Sequence, residues 1–135
     1  LLGDVWSAWA KLMFNKEKYS EAEYKKEHHD KLLNTLKLID AYFGKEGNSF
    51  AAGKGNDKPS WVDFKALHMF NVILRWSKVY DSELSNIKAY NARVVSVSGI
   101  QEYFDAENDT RPLYPPNYTT WGHDAANNVK FDYEE

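Results

Sequence analysis

The stretch GKGNDKPSWVDFKALHMFNVILRW, residues 53–76, changes character at its middle. Turn-forming residues run up to Pro59, and a long, mostly apolar segment follows Ser60-Trp61-Val62-Asp63. A Ser three places ahead of an acid is the sequence form of a helix capping box. In it Ser60 accepts from the N–H of Asp63, and the Asp63 carboxylate accepts from the N–H of Ser60. The first turn of a helix otherwise leaves four N–H groups without partners, and a carboxylate there suits the positive end of the helix dipole. Ser60 and Asp63 therefore read as a structural cap with no catalytic duty. From about Trp61 to Lys78, apolar side chains such as Phe64, Leu67, Phe70, Val72, Leu74 and Trp76 fall on nearly every side. A helix of that kind is predicted at the centre of a bundle, with other helices on several faces.

Upstream, Val5, Trp6, Trp9, Leu12, Met13 and Phe14 recur at spacings of three and four, which predicts an amphipathic helix over residues 4–16. Ser20-Glu21-Ala22-Glu23 is a second capping box. It announces a helix from about Glu21 to Phe43 with a stripe through Tyr24, Leu32, Leu36, Ile39 and Phe43, and Gly44 is placed to end it. Gly44, Gly47, Gly53, Gly55 and Pro59 punctuate a loop over residues 44–59, in which Phe50-Ala51-Ala52 forms a short buried segment.

Downstream, Leu84, Ile87, Tyr90 and Val94 predict one helix over Asp81 to Val95. A short fifth helix is predicted through Ile100, Tyr103 and Phe104, and from Asn108 an irregular tail follows that holds Pro112, Pro115 and Pro116. No run alternates well enough for a sheet. The fold class read from the sequence is all-α, a bundle of about five helices.

The 135 residues fit one domain, and 43% hydrophobic with 27% charged residues is ordinary for a soluble globular chain. A net charge of −3 speaks against a nucleic-acid surface, which normally shows as a basic patch. No apolar run approaches the roughly 20 residues that cross a bilayer, so no membrane span is expected. With no cysteine there is no disulfide, thiolate or cysteine–zinc chemistry. The chain starts at Leu1 rather than Met, as maturation, a proteolytic cut or a piece of a longer protein would give.

Phe50-Ala51-Ala52-Gly53, a loop, and then Ser60-Trp61-Val62-Asp63-Phe64 together resemble the pattern of the C-terminal domain of glutathione transferases. There an apolar run and a Gly precede a Thr/Ser-x-Ala-Asp box at the start of the central helix. Asn86-Ile87-Lys88-Ala89-Tyr90-Asn91-Ala92-Arg93-Val94 is similar to the next helix of that family. Ile100-Gln101-Glu102-Tyr103-Phe104 with Arg111-Pro112 is similar to its closing helix and the Arg-Pro after it. The resemblance is nearest to the sigma-like cytosolic classes and spans about residues 4–112. The loop between Gly53 and Ser60 is longer than usual, and Val62 stands where Ala is common. The family's usual Pro before the last helix is absent, and residues 113–135 have no counterpart.

The resemblance implies a helical domain over residues 1–112, a tail over 113–135, and an N-terminal thioredoxin-like domain that is not in this chain. That domain would hold glutathione, the co-substrate of the whole protein, and activate its thiol; no other cofactor is implied. This chain would then carry no catalytic residue and would be inactive alone. It would supply the wall of the apolar co-substrate pocket, through Ser7, Met13, Lys65, His68 and Met69, and contacts of a homodimer. Asp4 would reach glutathione held by the neighbouring subunit, although a plain N-cap of the first helix explains Asp4 equally. The whole protein would be a cytoplasmic detoxification enzyme joining glutathione to apolar electrophiles. The alternative is a non-catalytic structural or assembly module of the same fold. With the other domain removed, Trp6, Trp9 and Phe14 would lie partly exposed.

Two further features read as structural. In His28-His29-Asp30, neighbours on a helix point about 100° apart and do not chelate together, so the trio reads as a solvated face and no metal site is expected. His68 reads as a hydrogen-bonded core histidine. Asn108-Asp109-Thr110 and Asn117-Tyr118-Thr119 match the N-glycosylation pattern by chance.

Overall fold

The computed structural model describes residues 2–14, 22–53, 55, 57–76, 78–97 and 99–102. These form five helices: α1 (Leu2–Phe14), α2 (Ala22–Phe43), α3 (Trp61–Trp76), α4 (Lys78–Glu83) and α5 (Ser85–Val95). Residues 100–102 are helical as well, and no strand occurs among the described residues. The Ser20-Glu21 half of the second capping box, Tyr103, Phe104 and the tail lie outside the described residues.

α1 packs on α2, α2 on α5, and α3 touches α1, α4 and α5. The helices meet in one core. Leu12, Leu32, Leu36, Phe70, Ile73 and Ile87 are almost wholly removed from water, which at roughly 1.5–3 kcal/mol per large apolar side chain is the main favourable contribution to folding. Phe43 stacks on Tyr90 with ring centroids 3.9 Å apart, and Phe70 meets the same ring edge-on at 6.0 Å. The stripe through α2 is thus tied to α3 and α5 by one aromatic cluster.

The single helix predicted over Asp81 to Val95 is in fact two. The break falls at Leu84, whose side chain is fully buried and gives α5 no capping hydrogen bond. Asp40 of α2 does that work from outside. Its Oδ1 accepts from the N–H of Ile87 at 2.8 Å, and its Oδ2 accepts from the Asn86 side-chain amide at 2.8 Å. A carboxylate at this end also suits the helix dipole. Asn86 in turn closes on the end of α2: a Cβ at Gly44 would stand 2.8 Å from Asn86 Nδ2, so no larger residue fits there without displacement.

Three other expectations need correcting. The central helix is not covered all round, because Trp61 is 73% exposed and Phe64, Lys65 and His68 are open on the same side. His68 is therefore a surface residue and not a core one. His29 is not on a solvated face. It is 4% exposed and shares a 2.6 Å hydrogen bond, through Nδ1, with the Tyr80 hydroxyl of α4. Adjacent His28 stays half-buried, with Nδ1 2.9 Å from the carbonyl of Tyr24.

Candidate functional site

The start of α3 is held by one carboxylate. Asp63 is wholly buried, and its two oxygens accept four hydrogen bonds. Oδ1 takes the N–H of Ala51 at 2.7 Å and the Tyr90 hydroxyl at 2.8 Å. Oδ2 takes the N–H of Ser60 at 2.8 Å and the Ser60 hydroxyl at 2.9 Å. Half of the expected capping box is present. The Ser60 hydroxyl donates to Asp63, whereas the N–H of Asp63 bonds to the backbone carbonyl of Ser60 at 3.0 Å. Asp63 also does more than cap a helix, because it pins the loop at Ala51 and α5 at Tyr90. Arg93 adds a second tie to that loop, donating from Nε to the carbonyl of Ser49 at 3.0 Å.

Burial alone would raise the Asp63 carboxyl above its ordinary value. The N–H groups of Ala51 and Ser60, with the hydroxyls of Tyr90 and Ser60, outweigh it and hold the group below that value. Tyr90 is driven the other way, first by burial and then by its bond to the Asp63 carboxylate and that group's charge. The pair thus sits with Asp63 ionised and Tyr90 protonated, which fixes the direction of the shared proton.

With its first turn so anchored, α3 presents Trp61, Lys65 and His68 toward the beginning of α1. Leu2, Gly3 and Trp6 form the facing side, and a cleft of about 480 Å³ lies between, with Ala66 and Met69 at its floor. Its volume is that of a small-molecule site. Trp6 is 50% exposed beside it, and its ring lies 5.2 Å from that of Trp9. Trp9 is buried at 5% exposure, contrary to the partly exposed position expected for it, and the Phe14 side chain falls outside the described residues.

The residues singled out from the sequence divide accordingly. Lys65, His68 and Met69 line the cleft. Ser7 is exposed on α1 and is not among the lining residues, and the Met13 side chain falls outside the described residues. Asp4 is exposed within the first turn of α1, so it is not a cap preceding that helix. Trp61 was missed as a cleft wall, because it had been counted on an apolar face to be covered and helical spacing carries no mark of which face stays open. Trp6 has the partly exposed position expected for it, although it had not been named as a cleft residue. Among the described residues, no group of three or more His, Cys, Asp or Glu could hold a metal ion, and no helix is long and apolar enough to cross a membrane.

A bundle whose central helix starts at a buried Ser-x-x-Asp knot and opens on one side to an apolar cleft defines a class of helical domain. The family model described as glutathione S-transferase, C-terminal domain, matches residues 3–107, and the chain belongs to that family. Comparison with curated proteins and with solved structures gives no match.

Proposed function

We propose that this domain forms the co-substrate wall of a glutathione transferase. In this reading the cleft between α1 and α3 receives the apolar electrophile. A thioredoxin-like half of the same protein holds glutathione and lowers the pKa of its thiol, so that a thiolate nucleophile exists near neutral pH. The observation that carries the reading is the open, mostly apolar cleft beside a rigidly capped central helix, in a chain of this family. The knot at Asp63 keeps the first turn of α3 in place, and a fixed wall is what positions a co-substrate for attack.

Asp4 extends the reading to a dimer. It is exposed on the first turn of α1, and in this reading its carboxylate pairs with the ammonium group of a glutathione held by a second subunit. The whole protein would then work as a homodimer in the cytoplasm, of the sigma-like kind. The test is glutathione conjugation by the longer protein that contains this domain, assayed beside the present chain alone. Activity in the first and none in the second is the expected pattern. A longer protein with no conjugating activity toward any apolar electrophile would leave a non-catalytic module of the same fold.

A further inference from the structure

The described helices end at Glu102 and the family match ends at residue 107, so residues 108–135 lie beyond the matched domain. Their sequence carries a pattern of its own. Three of the chain's four prolines fall between Pro112 and Pro116, in Arg111-Pro112-Leu113-Tyr114-Pro115-Pro116-Asn117-Tyr118. Proline holds φ near −65° and drives the residue before it toward extended backbone, so such a run favours the polyproline II helix. That helix has three residues per turn, and residues three apart share one edge. Pro112, Pro115 and Tyr118 are spaced by three, which sets two proline rings and a tyrosyl ring in one line. SH3 and WW domains both read an edge of this kind with aromatic-lined grooves. An SH3 groove also pairs with a basic residue three places before the first Pro of Pro-x-x-Pro or two places after the second. Around Pro112 and Pro115 those places hold Asp109 and Asn117. A WW groove of the kind that reads Pro-Pro-x-Tyr instead takes an aromatic ring two places after the proline pair, where Tyr118 stands.

We propose that Pro115-Pro116-Asn117-Tyr118 is a docking motif for a partner protein that carries a WW-type domain. The aromatic walls of the partner's groove take the proline edge, and an adjoining pocket takes the Tyr118 ring. A tyrosyl ring suits such a pocket because its apolar body is buried while its hydroxyl stays at the mouth, within reach of a polar group. Asn117 falls on a different edge of the same helix and makes no essential contact. A segment already biased toward the bound backbone loses little conformational freedom on docking, so a few ring contacts suffice for binding. The contact uses no residue of the cleft between α1 and α3. It therefore goes beyond the co-substrate reading and stands or falls separately from it.

The test titrates the full chain with a purified WW domain of the kind that reads Pro-Pro-x-Tyr, followed by calorimetry, with a purified SH3 domain for comparison. Binding to the WW domain at one to one is expected, and none to the SH3 domain. Pro115→Ala and Tyr118→Ala should each weaken binding at least about tenfold, since each removes a ring that docking buries. Asn117→Ala and Arg111→Ala should leave the affinity within about twofold. A peptide of residues 110–122 carrying the same substitutions repeats the series free of any effect on folding. No binding of the WW domain by the full chain, binding that survives Tyr118→Ala, or an SH3 affinity that depends on Arg111 would overturn the proposal. Binding by the peptide but not by the chain would overturn it as well, because the motif would then be occupied within the protein itself.

Discussion

Replacing Asp63 by Asn keeps the shape of the side chain and removes its charge, so the loss can be traced bond by bond. The carboxylate accepts from Ala51 N–H and Tyr90 hydroxyl on one oxygen and from Ser60 N–H and hydroxyl on the other. An amide has a single oxygen. Placed on the Oδ1 side, it keeps Ala51 and Tyr90 but turns an NH₂ toward the N–H of Ser60. Placed on the Oδ2 side, it turns the NH₂ toward the N–H of Ala51. Either way one backbone donor is left without an acceptor at a wholly buried side chain, at a cost of about 1–3 kcal/mol. The surviving bonds lose their charge assistance, which roughly halves the strength of each. Together these give about 2–4 kcal/mol, a large share of the 5–15 kcal/mol typical of a domain. Urea denaturation followed by circular dichroism should show the midpoint falling by about 1–2 M with the slope unchanged. A loss below about 0.5 kcal/mol would refute the view that this carboxylate organises the start of α3.

Tyr90→Phe removes one of the four bonds and keeps the ring stacked on Phe43, so it should cost about 1 kcal/mol in the same melts. Ser60→Ala and Asp63→Ala act on one shared bond, and the double variant should cost clearly less than the sum; strict additivity would show that the two side chains act independently. Stability should form a plateau between about pH 5 and pH 9. Asp63, lowered in the folded state, contributes fully above its unfolded value near 3.9, and its contribution is lost as pH falls through the folded value. Tyr90, raised in the folded state, contributes fully below about 10, and its contribution is lost as pH rises beyond. Asp63→Asn should flatten the acid limb in a pH series of melts, and Tyr90→Phe the alkaline one. Asp40→Ala should cost about 1–2 kcal/mol by uncapping α5 from α2, with faster amide exchange at Ile87 as the local sign.

What the sequence revealed was whatever depends on near neighbours. The Ser60–Asp63 spacing, the stripe of α2 and the glycines around the loop are local signals, and each marks an element that is present. The break at Leu84 left no such signal, because no Gly or Pro stands there. It depends on Asp40, more than 40 residues earlier, supplying the cap that Leu84 lacks. His29 was misplaced for a similar reason: its burial is tolerated because Tyr80 brings a hydroxyl from another helix. The Asp63 knot was half legible, since Ser60 is three residues away while Tyr90 is 27 away. The cleft was the least legible part. A helix with apolar residues all round gives no indication that Trp61 and Phe64 remain open while Phe70 and Ile73 are covered.

The central claim, that the face of α3 beside α1 is a co-substrate wall, is tested most directly through Trp61. This side chain is 73% exposed and lines the cleft, so Trp61→Ala alters the wall at little cost to folding. The measurement is steady-state conjugation by the longer protein, varying glutathione and an apolar aromatic electrophile in turn. The account predicts that KM for the electrophile rises several-fold in Trp61→Ala, while KM for glutathione and the pH dependence of thiol ionisation stay as they were. An unchanged electrophile KM, or a loss confined to glutathione, would contradict it.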